Sequence, residues 1–285
     1  MIQIGIRLHD VNEGLGTEEK TLEARARKAR EEGFSCVHLA PQKVLPGVPY
    51  TPESMTEGLA AYFKRVFSKE DLDVAVLGCY LNLAHPDPGK LQDIQARYYA
   101  NIRLASLMGA GMVGTETGCP NAEYKTDANT RSDEALESFI RGLAPVVECA
   151  EKYGVTVAIE PVRNHIVYDP GRALQVIRAL KSPNLRIIFD PVNLLAMDNV
   201  DDRDRVFRDA IDKLGPWIEM VHLKDFVRRE GKLVSVAAGT GEMNYEAVLR
   251  YLKAEKPFIH ATLENTTNEN AVQAREWIEK VYWTA

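Results

Sequence analysis

Eight times along this chain a short apolar, β-branched run is followed by a longer stretch with helical spacing, and that alternation restricts the fold more than any other feature. The runs are residues 2–8, 34–40, 72–83, 111–117, 155–161, 185–191, 218–224 and 258–264. Most are too continuously apolar for half-exposed strands, as expected of parallel strands covered on both faces. The stretches between them carry helical stripes, for instance Leu91, Ile94, Tyr98, Ile102 and Ala105. Thr51-Pro52-Glu53 reads as a helix start, with a hydroxyl cap, a first-turn proline and an acid at the positive dipole end. Glycines 33, 109, 154 and 215 read as helix-closing residues.

Strands alternating with helices call for a parallel sheet with right-handed crossovers, and eight units predict a closed (β/α)8 TIM barrel. A barrel of this class needs ~250 residues, so the 285 residues are read as one domain, 1–285. No linker or low-complexity segment divides them. No Gly-x-Gly-x-x-Gly follows the first strand, which argues against a nucleotide fold; GTGEMN (239–244) is read as a loop over the barrel mouth.

The 45% hydrophobic and 27% charged composition is that of a soluble globular chain with a sizeable core. No apolar run approaches the ~20 residues that span a bilayer, and MIQIGIRLHD lacks the features of a secretory leader, so a cytoplasmic protein is expected. A net charge of −6 without a basic stripe argues against nucleic acid as a partner. Cys36, Cys79, Cys119 and Cys149 have no paired spacing and are read as reduced thiols.

In such barrels the chemistry sits at the carboxyl ends of the strands. The fifth predicted strand ends in Glu160, the sixth in Asp190, the seventh in His222 and the eighth in Glu264, each about one strand–helix unit from the next. Each residue alone would more simply cap a helix or pair with a neighbour. Together, three carboxylates on one rim repel unless something positive lies among them. A divalent cation would serve, and an oxygen-rich set with one imidazole suits Mn2+ first, with Mg2+, Co2+ or Zn2+ as further candidates.

At these positions the sequence resembles the xylose isomerase-like TIM barrels, also described as the sugar phosphate isomerase/epimerase or AP endonuclease family 2 group. The matching segments are AIEP (158–161), IIFDPVN (187–193), MVHLKD (220–225) and TLEN (262–265), with GTGEMNYEAV (239–248) before the last. The resemblance implies a metal held by Glu160, Asp190, His222 and Glu264, with Glu160 and Glu264 also the acid/base pair. It implies a divalent-metal-dependent isomerase or epimerase of a small polyhydroxylated carbonyl compound: a ketose, an inosose or a related sugar. A metal holding a carbonyl and its neighbouring hydroxyl acidifies the C–H between them by stabilising the enediolate, and two carboxylates can then exchange protons on opposite faces.

A metal-dependent lyase or dehydratase of a keto-sugar or keto-inositol begins with the same step and is the close rival. A DNA-repair enzyme like endonuclease IV is remote, because its three-zinc cluster needs extra histidines. Asn193 stands where many epimerases of the group carry a histidine, and no Asp-x-His follows the seventh strand. A non-catalytic sugar-binding relative is the third class. A homo-oligomer would be ordinary for such an enzyme.

Further rim residues are candidates for substrate contact. His85 follows the third strand, His165 lies in EPVRNH, and Glu116 ends the fourth strand and would bind hydroxyls or pair with Arg163. Asn193 would offer a hydrogen bond, Arg228 matches a substrate-binding arginine of the family, and Lys224 would take an anionic group. Asp225 is read as holding a loop, His9 and His38 as orienting loops rather than touching substrate, and Tyr80, Trp217 and Trp283 as packing residues. His260 falls at the opposite end of its strand and is read as structural.

Overall fold

Eight parallel strands close on themselves in the computed structural model, which describes residues 1–11 and 21–285. The barrel strands are β1 (Gln3–Arg7), β2 (Cys36–Leu39), β3 (Asp73–Gly78), β4 (Met112–Glu116), β5 (Thr156–Glu160), β6 (Leu185–Phe189), β7 (Ile218–Leu223) and β10 (His260–Leu263). Closure is made by β1 on β10, with Gln3 opposite His260 and Ile6 opposite Leu263. The outer layer is α1 (Leu22–Glu31), α3 (Glu57–Lys69), α4 (Pro88–Met108), α5 (Asp133–Tyr153), α6 (Pro170–Leu180), α7 (Arg203–Leu214), α8 (Glu246–Glu255) and α9 (Ala271–Thr284), with a single turn, α2 (Pro41–Val44), after β2.

The inside of the barrel is a packed core. Cys36, Ala75, Val76, Met112, Ala158, Ile188 and Met220 form one buried cluster there, separate from the larger core shared by strands and helices. Small side chains are required where strands crowd: a Cβ on Gly5 would lie 2.3 Å from the Cys36 carbonyl oxygen. All four cysteines are free. No described helix is long and apolar enough to cross a membrane.

Three sequence expectations are corrected, and one element is new. The third strand stops at Gly78, so residues 79–83 form a loop over the rim. Thr51 caps only the 3-10 turn Pro52–Ser54; the helix α3 begins after Thr56, whose hydroxyl accepts from the Leu59 N–H. Gly33, Gly109 and Gly154 have positive φ after their helices, but Gly215 has φ −44° and opens the 3-10 turn Gly215–Trp217. An unforeseen antiparallel hairpin, β8 (Asp225–Arg229) and β9 (Lys232–Val236), is inserted between β7 and α8 and turns through Glu230 and Gly231, both at positive φ.

Candidate active site

The strand ends bring Glu160, Asp190, His222 and Glu264 together, all of them buried; Glu160 and Glu264 line one cavity, and Asp190 and His222 lie against them outside its lining. Glu160 is the last residue of β5, Asp190 follows β6, His222 lies in β7 opposite Thr262, and Glu264 follows β10. The imidazole is the centre of the group. Its Nδ1 lies 3.3 Å from Glu160 Oε2 and 3.6 Å from Glu264 Oε1, yet neither ring nitrogen makes a hydrogen bond.

The four do not form one closed set. Ligand atoms of Glu160, Asp190 and His222 lie within 4.8 Å of one another, and so do those of His38, His222 and Glu264. His38, read from sequence as a loop-orienting residue, is buried at the end of β2 and stacks on His222, with ring centroids 5.5 Å apart. Lys224, read as an anion binder, is instead held by carboxylates. Its Nζ is 2.7 Å from Asp190 Oδ2 and 3.1 Å from Glu264 Oε2, well inside the protein.

Neighbouring groups fix the carboxylates. Asn193 donates its backbone N–H to Asp190 Oδ1 (3.0 Å) and its side-chain amide to Glu160 Oε1 (2.6 Å). The residue standing in place of the family's histidine therefore orients a candidate base. Arg7, at the end of β1, binds Asp10 at 2.8 Å and reaches within 3.7 Å of Glu264. Burial alone would raise the Glu264 carboxyl, but the charges of His222, Lys224 and Arg7 outweigh it and hold it far below the usual carboxylate range. Burial would likewise depress His222, but Glu264 and Glu160 push it up to about 9.

The cavity has a volume of ≈ 590 Å³, and its lining is mostly polar. Glu116 is pushed up to about 7, first by burial and then by the charges of Glu160 and Glu264. It accepts from the Tyr124 hydroxyl at 3.4 Å and lies 3.8 Å from His165, which also lines the wall; Arg163 pairs with Asp198. Arg7, His9, Gln42, Lys43, Tyr80 and Asn265 line the wall too, and the sequence reading had given none of them a substrate contact. Arg7 and Asn265 obey the same strand-end rule as Glu160 and Glu264 and could have been found by it.

Two predicted contacts lie elsewhere. His85 is absent from the lining; its ring accepts from the Asp87 backbone N–H in the turn before α4. Arg228 sits on the hairpin, where it pairs with Asp201 at 2.6 Å and Glu242 at 3.2 Å. Asp225 does hold a loop: its buried carboxylate accepts from the N–H groups of Phe226, Gly239, Gly241 and Met243. That fastens the 239–244 segment beside the mouth. His260 contacts Asp73 at 3.1 Å, where both strands begin at the far end of the barrel.

The chain belongs to the xylose isomerase-like TIM barrel family, whose model matches residues 26–281. Among curated proteins it is similar to the uncharacterized protein MJ1311 of Methanocaldococcus jannaschii, 25% identical over 150 residues. That match spans 52% of this chain and 49% of the relative, so about half the length of each. Among solved structures it resembles the 3-keto-D-glucoside 4-epimerase YcjR of E. coli (TM-score 0.73, 12% identity, covering 98% of this chain and 100% of that one). It also resembles the probable 3-DHS dehydratase AsbF of Bacillus anthracis (0.69, 14%, 98% and 99%) and the IolI protein with a bound zinc atom (0.74, 16%, 99% and 98%). At such identities these likenesses speak for the fold alone.

Proposed function

We propose that this chain is a divalent-metal-dependent isomerase or epimerase of a small polyhydroxylated carbonyl compound, such as a ketose or an inosose. The observation that carries the reading is the buried His222 ring, both nitrogens without a hydrogen bond, set between Glu160 and Glu264 with Asp190 alongside. A buried polar atom left unpaired is costly, and imidazole nitrogen facing carboxylate oxygen is the donor set of a divalent ion. Glu160, Asp190, His222 and Glu264 would hold it, with His38 close enough to replace one of them; Mn2+ suits the oxygen-rich set best.

When bound, the ion would polarise a substrate carbonyl and acidify the C–H beside it. The proton transfer falls to the chain's own side chains. Glu160, aimed by Asn193, and Glu264, aimed by Lys224 and Arg7, approach His222 from different strands. A substrate carbon held between them can lose a proton to one carboxylate and regain one from the other on its opposite face. Glu116, His165 and Tyr80 lie around the wall, where hydroxyls of a polyol would hydrogen-bond.

The test is to incubate the Mn2+-loaded protein with ketoses and inososes in D2O and follow deuterium uptake by NMR. Uptake beside the carbonyl in at least one substrate, absent in Glu264→Gln, is the expected result. Release of a β-leaving group with an absorbing unsaturated product would make the chain a lyase. No exchange in any compound would end the isomerase reading.

A further inference from the structure

Behind Tyr80 and Gln42, which line the main cavity, lies a second chamber of ≈ 330 Å³. It is built where β3 ends and the chain crosses above α4: Gly78, Cys79, Tyr80 and Leu81 form one side, Tyr50 and Met55 the other, and Arg97 and Asn101 of α4 the base. Gln42 and Tyr80 line both spaces and form the partition. Tyr80 stands in it with its hydroxyl 3.3 Å from His38 Nε2, packed so closely that a Cβ on Gly78 would come within 2.8 Å of its ring. Gln42 is exposed and makes no side-chain hydrogen bond among the described residues.

The two spaces differ in chemistry. The main cavity is lined by ionisable groups whose charges face one another. In the chamber the polar groups of Tyr50 and Asn101 are already matched: the Tyr50 hydroxyl donates to Asn101 Oδ1, and the Asn101 amide donates to the Arg97 carbonyl oxygen at 2.8 Å and to Cys79 Sγ at 3.5 Å. What remains facing the space is Met55, Leu81, the rings of Tyr50 and Tyr80, and Cys79, a buried thiol that packs as a small hydrophobe. Such a surface offers a guest apolar contact and few hydrogen bonds, with the Arg97 guanidinium and the Gln42 amide as the polar groups left to anchor it. A bare polyol gains little there, because its hydroxyls would lose water without replacement partners.

The geometry points to a substrate in two parts: a polyhydroxylated ring seated over Glu160 and Glu264, and a flat apolar substituent carried through the partition into this chamber. The substrate class is then a keto-glycoside or similarly substituted polyhydroxylated ketone, with an aryl group as the apolar part and the parent glycosides as its binding surrogates. This rests on the proposed reaction for the ring's position, but the chamber's preference is a property of binding alone.

The experiment is isothermal titration calorimetry of the Mn2+-loaded protein with paired methyl and phenyl β-glycosides of glucose, galactose, mannose and xylose. At least one phenyl glycoside is expected to bind ten-fold or more tightly than its methyl partner. Leu81→Trp, which fills the chamber from its own wall, and Gln42→Trp, which fills it from an exposed position, should each erase the difference. Circular dichroism would confirm that the variants fold. If no pair shows the preference, or if it survives in both filled variants, the inference is overturned. Absence of proton exchange with the preference intact would instead remove the proposed reaction and leave the two-part binding site standing.

Discussion

Replacing Lys224 by methionine would leave a nearly isosteric side chain and remove a buried ammonium from between Asp190 and Glu264. The lysine contacts them at 2.7 and 3.1 Å, and the three side chains are 6%, 0% and 10% exposed, so water cannot take its place without rearrangement. Breaking a buried ion pair from one side costs about 3–5 kcal/mol, because the charge left behind is uncompensated. For 285 residues, somewhat above the 150–250 for which ~1 kcal/mol moves the midpoint by ~2–4 °C, the shift is a little under ~2 °C per kcal/mol, which predicts a fall in Tm of about 5–8 °C. The melts would be run by circular dichroism in chelator and again with Mn2+. Since an ion at a hundred times its Kd contributes ~2.7 kcal/mol, the metal should recover part of the loss and raise the variant's Tm more than the wild type's. A variant that melts in chelator within about 2 °C of wild type would refute the reasoning, since Lys224 would not be neutralising those carboxylates.

Asp225→Ala removes the shared acceptor of four backbone N–H groups. Phe226 and Met243 are buried and Gly239 and Gly241 exposed, so at ~1–3 kcal/mol for each buried donor left unsatisfied it should cost about 2 kcal/mol or more in urea unfolding and speed hydrogen exchange at Gly239, Gly241 and Met243. Gly142→Ala lies inside α5, where alanine is intrinsically favoured by ~1 kcal/mol. Its Cβ would nevertheless come 1.8 Å from the Leu83 carbonyl oxygen, and denaturation should show a net loss of about 2 kcal/mol or more. His9 is pushed down to about 4, first by burial and then by Lys43 and Arg7. The unfolded chain then binds a proton that the folded one does not, so stability should be unaffected above pH ~6.5 and fall progressively from there towards pH 4. Tm measured against pH should show a shallower fall in His9→Asn; an unchanged slope would remove His9 as a cause.

The barrel was legible because parallel strands buried on both faces must be continuously apolar, and seven of the eight predicted runs contain their strands with little excess. The third was overdrawn, since Cys79–Leu83 is as apolar as a strand while serving as the loop that carries Tyr80, and that hid a cavity residue. The hairpin was missed because FVRREGKLVSV is largely exposed and polar, and its turn uses Glu230-Gly231 rather than an asparagine–glycine pair.

At the site, strand-end position picked out Glu160, Asp190, His222 and Glu264, since that rule depends only on topology. Lys224 could have been placed as well, because residues two apart on a strand share a face and His222 points inward. Reading it as free to bind an anion overlooked the carboxylates it would meet there. His38 was harder: its stacking on His222 spans the barrel interior, and no local pattern encodes a contact between β2 and β7. Arg228 and His85 were misplaced for the opposite reason, since the hairpin and the turn before α4 carry their side chains away from the mouth.

The most direct test of the central claim is elemental analysis after dialysis and Mn2+ reloading, with wild type beside Glu160→Gln, His222→Ala and His260→Ala. The account predicts about one metal per chain in the wild type and in His260→Ala, whose ring lies at the far end of the barrel, and strong loss in the other two. No retained metal in the wild type, or equal loss from His260→Ala and His222→Ala, would contradict it.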